Sequence, residues 1–472
     1  MLGYHLQTNN NTKFAVRAYR LLFMTFLMGY VFVSFSQIPI PQFKPFQPIE
    51  PGKSPQFQSA PLFQPQRLSS LLPNDPYVQQ NARILQQAAM NSEQTKSNAQ
   101  MQRFPNFFLA EDQRQEWQNF YRYKSGSYQQ HFEQLLSMNP DDFSITKAIY
   151  LVESAWYDDP PPFENFEREI QFYADLVKQI LKKEGLDVKN NAAINYGIQK
   201  LYKQDNQWYD RHSGKAYKIA KLDYDFKDYL GEEQWSSMFV DKLLRTGKGQ
   251  CHSLPLLYLC IAEQLGGKAY LSLSPNHSFI QYFGNDGRRY NFETTNGNHV
   301  TETWLLQSID ISSAALANKT YLDTLSGKQL YAHILGDLLL GYKNQLNYDH
   351  ITDAIIQKIQ SVDVNNMTAL MEQAMIAHIL FSMKLRELGN PAPDQWKQYP
   401  ELTGAYNRRQ EIYQKIDATG YQEMPREIYQ QWLMSMKEEE QKQQDKAEYE
   451  KLLKELNKLK KIKPTLKNAP KQ

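Results

Sequence analysis

Only two of the 472 residues are cysteine, and 53 Lys and Arg nearly balance 51 Asp and Glu, leaving a formal net charge of +2. Two cysteines exclude a disulfide-stapled secreted miniature and a thiolate zinc cluster. Balanced charge provides no global field for nucleic acid or other acidic polymers. His-Glu-x-x-His and paired Cys-x-x-Cys motifs are missing, and no glycine-rich phosphate loop follows a strand, so neither a metal nor another cofactor is expected. Asp223, Asp225 and Asp228 begin like a calcium loop, but position six is Asp228 instead of glycine and position twelve is Gln234 instead of glutamate. What the chain does have is enough apolar residue, 41%, to build a real core, which rules out wholesale disorder.

Lys13, Arg17 and Arg20 precede an apolar run from Leu21 to Phe35. Fifteen residues fall short of the roughly 20 that a bilayer-spanning helix needs. The pattern fits a secretory signal over residues 1–36, with Ser34 and Ser36 placed for cleavage before Gln37; an uncleaved anchor is the runner-up. Export to the periplasm or cell exterior is therefore expected. Repeated Pro, Gln and Phe over 37–75 read as an extended linker, because proline fixes φ and removes backbone donors.

The body is expected to be α+β. Residues 76–160 form a helical N-terminal region, and the pattern stays mostly helical to about Leu244, with Phe163–Gly185 the clearest helix. Cys251–Leu265 reads as a buried helix closed by Gly266-Gly267. Lys268–Ser274, His277–Phe283 and Arg288–Thr295 read as strands, the last two flanking Asn285-Asp286-Gly287. One helix feeding an antiparallel meander defines an α+β layer over 161–322. Residues 323–430 return to helix: Lys328–Lys343, His350–Gln360 and Met367–Leu388 have lengths suited to stacked helical hairpins, repeat-like or an ordinary helical cap. Residues 431–472 form a charged helical tail; from Lys437 it holds eleven Lys against seven acids, a foothold for a membrane or protein partner if it is not simply solvated.

One segment suggests chemistry. Gly247-Lys-Gly-Gln-Cys251 puts a thiol after a flexible glycine stretch at the start of an apolar helix. Unpaired N–H groups and the positive end of the helix dipole favour the thiolate there, and the Cys251 N–H can face a developing oxyanion. Cys260 lies nine residues on, nearly on the opposite helix face and about 13 Å along the axis; flanked by Leu259 and Ile261, it reads as core. The thiolate needs a base and the base an orienter. His277 opens one strand and Glu293 lies on the next. If Asn285, Asp286 and Gly287 form a three-residue loop, Gly284 pairs with Arg288, and Glu293 becomes the diagonal neighbour of His277 on one face. If Asp286-Gly287 is a two-residue turn, Glu293 points away. His252 is a rival base, but adjacent side chains on a helix diverge.

Gly249-Gln250-Cys251, then Pro-Asn-His277, then Phe292-Glu293-Thr294-Thr295 resembles the transglutaminase-like superfamily of papain-fold cysteine enzymes, over roughly residues 165–300. The resemblance implies a papain-type core in which Cys251 attacks an amide or ester carbonyl of a peptide or protein substrate, His277 is the base and Glu293 orients it. It also implies an exported bacterial type with helical repeats downstream. The chain departs from the pattern in having His252 where an aromatic usually follows the cysteine, and Glu where Asp is commoner. Trp235 and Gln250 are the candidates for a further oxyanion donor. A branch that keeps the scaffold for binding alone is the alternative.

Overall fold

The computed structural model describes residues 111–438, Asp310 excepted. The expected signal and linker, the first part of the expected N-terminal helical region, and the charged tail beyond 438 lie outside the described residues. Among those described, no helix is long and apolar enough to cross a membrane.

Four helices come first: α1 (Glu111–Leu136), α2 (Ile145–Trp156), α3 (Phe163–Lys183) and α4 (Asn191–Lys203). Their starts follow local chemistry. The side chain of Ser144 accepts the N–H of Lys147 at the start of α2, and that of Asn190 accepts the N–H of Ala193 at the start of α4, each satisfying an orphan donor. On α3, Phe166, Ile170, Tyr173, Leu176, Val177 and Leu181 form the buried stripe that the three-and-four spacing predicts.

The next stretch departs from the expected helix. Residues 206–224 form a hairpin, β1 (Asn206–Tyr209) with β2 (Ala216–Ile219), and a short strand, β3 (Asp223–Tyr224). Strands of four and two residues are too short to leave a period in the sequence. They are held by local polar groups instead. The Asp210 carboxylate caps the N–H groups of His212 and Ser213 in the turn, and the Gln179 amide bonds both the N–H and the C=O of Tyr209, as a neighbouring strand would.

Helix α5 (Val240–Thr246) ends at Gly247, which takes the left-handed conformation at φ 68°. The chain then runs as β4 (Lys248–Gly249), parallel to β3, and enters α6 (Ser253–Leu265). Every residue of α6 from Ser253 to Ala262 is buried. It packs against α2, α3, α4 and α5 and against the sheet, which explains its all-round apolar surface. The turn into it is tight: the Ser253 hydroxyl accepts the N–H of Gln250 at 3.0 Å, and a Cβ at Gly249 would meet that oxygen at 2.6 Å. Gly249→Ala is therefore expected to destabilise the protein by about 1–3 kcal/mol, read as a lower urea midpoint; an unchanged midpoint would show that the turn relaxes freely.

The sheet follows as β5 (Tyr270–Ser274), β6 (His277–Phe283), β7 (Arg289–Glu293) and β8 (Asn298–Val300), antiparallel and in sequential order. The β5–β6 loop is two residues, Pro275-Asn276, with Ser274 opposite His277 and Asn276 at φ 56°. Proline at the first and a left-handed Asn at the second central position are what a type II turn requires. The β6–β7 loop is the three-residue one: the Gly284 N–H donates to Arg288 at 2.9 Å and Gly287 sits at φ 73°. Ile280 faces Phe292 and Gln281 faces Asn291, so the odd-numbered residues of β6 and β7 share one face. Strand β8, absent from the expected set, pairs with β7 from Asn291 to Glu293.

Beyond the sheet the chain is helical: α7 (Glu302–Ile309), α8 (Ser313–Ala317), α9 (Gly327–Leu346), α10 (His350–Val362), α11 (Met367–Glu387) and α12 (Pro400–Ala418). Helices α9 to α12 pack each on the next, and α9 also lies against α1 and α2, joining both helical regions through one core. A further helix, α13 (described over residues 426–438), places Tyr429, Trp432, Leu433 and Met436 in that core. Mixed helix and sheet makes the protein α+β.

Candidate active site

Cys251 lies two residues before the first residue of α6, which starts at Ser253 with His252 at the N-cap instead of at the cysteine itself. The backbone around it is pinned. Its carbonyl accepts the Ser278 hydroxyl, tying the loop before α6 to the second residue of β6. The thiol also lies 4.0 Å from the carbonyl oxygen of Asn276. The tight Pro275-Asn276 turn thus brings the first residue of β6, His277, next to the sulfur.

The register of the hairpin brings in the third group. His277 Nε2 is 2.8 Å from Glu293 Oε2, and both side chains are fully buried. The other carboxylate oxygen, Oε1, accepts the N–H of Thr295 at 3.0 Å. Both oxygens are therefore engaged, and the ring is fixed in orientation. Nδ1 is left over and makes no hydrogen bond of regular geometry. The Trp432 ring meets the imidazole edge-on, with centroids 4.6 Å apart. The structure brings Cys251, His277 and Glu293 together.

Electrostatics follow from this packing. Burial opposes the Cys251 thiolate most strongly, yet the His277 imidazole, then the Tyr429 hydroxyl and the charge on His252, hold the thiol below its ordinary value. Burial likewise opposes the charged form of His277, but the Glu293 carboxylate and the Cys251 sulfur outweigh it and raise the imidazole to about 10. Opposite shifts in adjacent groups describe a thiolate–imidazolium pair. Cys260 goes the other way: fully buried among apolar residues, its thiol is pushed well up, as a core cysteine should be.

The two residues the sequence offered as oxyanion donors lie elsewhere or are engaged. The Gln250 amide donates to the Asp228 carbonyl at 2.7 Å. Trp235 lines a separate cavity of about 190 Å³, together with Glu153, Phe239, His252, His333 and Asp337. Sequence reasoning missed the phenols that contact the sulfur. Tyr429 Oη is 3.2 Å from the sulfur, and the Tyr224 phenol lies beside both, its acidity suppressed by burial first and then by the charge on Cys251. A signal for Tyr429 was present: Tyr429, Trp432, Leu433 and Met436 recur at three and four residues, an apolar stripe just ahead of the charged tail.

His252 is turned away from the triad. Its Nε2 lies 3.2 Å from Asp337 Oδ2 on α9, and its ring packs near that of His333. The donor atoms of His252, His333 and Asp337 fall within 4.8 Å of one another, making this the group among the described residues that could hold a metal ion. Its members are 85 residues apart in sequence at the widest, which is why no metal spacing is visible there. Ion pairing of His252 with Asp337 accounts for two of the three without a metal. No protein-family model, no curated protein and no solved structure matches the chain.

Proposed function

We propose that the protein is an exported cysteine hydrolase or acyltransferase with a transglutaminase-like, papain-type core, acting on amide bonds of a peptide or protein substrate. The observation that carries this reading is the disposition of His277: Nε2 is held by Glu293 at 2.8 Å, leaving Nδ1 for the neighbouring Cys251 thiol. That order of nucleophile, base and orienting acid is what acyl transfer through a thioester needs. Cys251 would attack the carbonyl, and His277 would protonate the leaving amine. Water or a second amine would then resolve the thioester. A helix followed by an antiparallel meander, with the cysteine at the helix start, supports the fold part of the reading. Export rests on the sequence pattern at residues 1–36, and a protein partner at the C-terminal helices remains an expectation of the same kind.

The second reading, a non-catalytic envelope scaffold, is favoured by burial: Cys251 keeps only 6% of its surface. Alkylation by iodoacetamide, with peptide mapping of both cysteines, separates the two. The enzyme reading expects Cys251 to react selectively and well below the pH at which an ordinary thiol, near 8.5, ionises. Labelling of Cys251 no faster than of Cys260 would leave the scaffold.

A further inference from the structure

The reading of Cys251 as an acyl-accepting nucleophile offers one oxyanion donor, its own N–H, and leaves the remaining donors to be found. When sulfur adds to a carbonyl, the S–C bond forms and the π electron pair moves to oxygen, and that oxyanion needs preorganised donors. One N–H of the Gln250 amide is taken by the Asp228 carbonyl. What surrounds the sulfur is phenolic. Tyr429 Oη lies 3.2 Å from Sγ, and Tyr429 is 1% exposed. The phenol of Tyr224, 2% exposed, stands beside Tyr429 and Cys251, and its oxygen makes no hydrogen bond of regular geometry. The indole N–H of Trp432, three residues from Tyr429 and packed on His277, is likewise buried without a partner. Buried donors without acceptors are rare in native proteins, because each forfeits its hydration for nothing. Two of them beside the Cys251–His277 pair, next to the Tyr429 hydroxyl on the sulfur, describe a place that awaits an acceptor.

The geometry points to Tyr429 and Tyr224 as the oxyanion-binding pair of this site, catalytic residues that reach Cys251 from a helix 178 positions downstream and from β3. With the sulfur as thiolate, the Tyr429 hydroxyl is the donor and the sulfur the acceptor. The oxyanion is bonded to the same carbon that the sulfur attacks, so a donor within reach of sulfur is within reach of that oxygen. As the tetrahedral adduct forms, the hydroxyl hands its hydrogen bond from sulfur to oxygen. When the adduct collapses, the C=O bond re-forms and the bond to the leaving group breaks. An amine leaving group takes its proton from the His277 imidazolium, and the thioester remains.

Two small probes test this on the full chain. p-Nitrophenyl acetate acylates a thiol through an oxyanion; iodoacetamide alkylates it by direct displacement and forms none. Tyr429→Phe and Tyr224→Phe keep the ring and remove only the hydroxyl, and thermal unfolding checks that each variant folds. Each is expected to lower the acylation burst on the order of 100-fold. Alkylation should change by less than about tenfold, since the thiolate fraction and its nucleophilicity move in opposite directions. Equal slowing of both reactions, or of neither, would overturn the assignment of the two tyrosines while leaving Cys251 a nucleophile. A wild-type protein that reacts with neither probe, and behaves as Cys251→Ala does, would overturn the nucleophile itself. Tyr429→Ala separates a donor from a mere cover: a cover predicts that both reactions accelerate.

Discussion

His277→Asn is expected to slow alkylation of Cys251 by iodoacetamide at about pH 6.5 on the order of 100-fold, and to move the pH profile of the reaction upward. The sign follows from the site. Burial by itself would push the Cys251 thiol up; it lies below its ordinary value because the imidazole faces it and is charged. Asparagine fills similar space and carries no charge, so burial then prevails and the thiol stays protonated at neutral pH. Wild-type reactivity should instead form a plateau, bounded below by the lowered thiol ionisation and above by loss of the imidazolium near pH 10. A variant that retains the wild-type profile would mean that the histidine does not activate the sulfur. Comparison with Cys260, whose thiol is pushed well up, supplies an internal reference in each sample.

Glu293→Ala should have the largest effect on stability. The carboxylate is fully buried, bonds His277 through one oxygen and the Thr295 N–H through the other. Its removal strands a buried imidazole and an amide donor, and breaking a buried pair in this way costs about 3–5 kcal/mol. The loss should depend on pH in a definite direction. His277 rises from an ordinary 6.5 to about 10 on folding. A raised folded-state value stabilises the protein fully below about pH 6.5, and that contribution disappears as pH climbs through 10. The gap in unfolding free energy between wild type and Glu293→Ala, measured by urea titration, should therefore be widest near neutrality or below and narrow toward pH 10. A gap that widens with alkaline pH would contradict the ion-pair description. Glu293→Gln, which keeps a hydrogen-bond acceptor for the ring, should recover part of the loss.

Much of this arrangement could be read from residue order, for physical reasons that differ between segments. The meander was visible because strand pairing has a period of two and because Asn285-Asp286-Gly287 admits only a few loop geometries. Once Gly287 adopts a left-handed φ, the register of Phe283 against Arg289 follows, and with it the face shared by His277 and Glu293. Helix α6 was visible as an apolar block ended by Gly266, although it begins two residues later than the cysteine suggested. The β1–β2 hairpin was hidden: its four-residue strands are held by Asp210 and Gln179 side chains, contacts with no periodic signature. The phenols around the sulfur were hidden for another reason. Tyr429 acquires its role only through long-range packing against Cys251, and a tyrosine on an amphipathic stripe reads first as core. His252 illustrates the reverse case. Its neighbour in sequence is the candidate nucleophile, but its partner is Asp337, on a helix that only the tertiary fold brings near.

The placement of α13 has a consequence for biosynthesis. Cys251, His277 and Glu293 are all made before residue 300, yet the side chains that touch the sulfur and flank the imidazole arrive with residues 429 and 432. While the chain is still growing, its thiol lies in an incomplete setting. Any product terminated ahead of Tyr429 keeps Cys251, His277 and Glu293 but lacks Tyr429 and Trp432 around them. The candidate site is thus surrounded in full only once residues 429 and 432 have been made, well after Glu293.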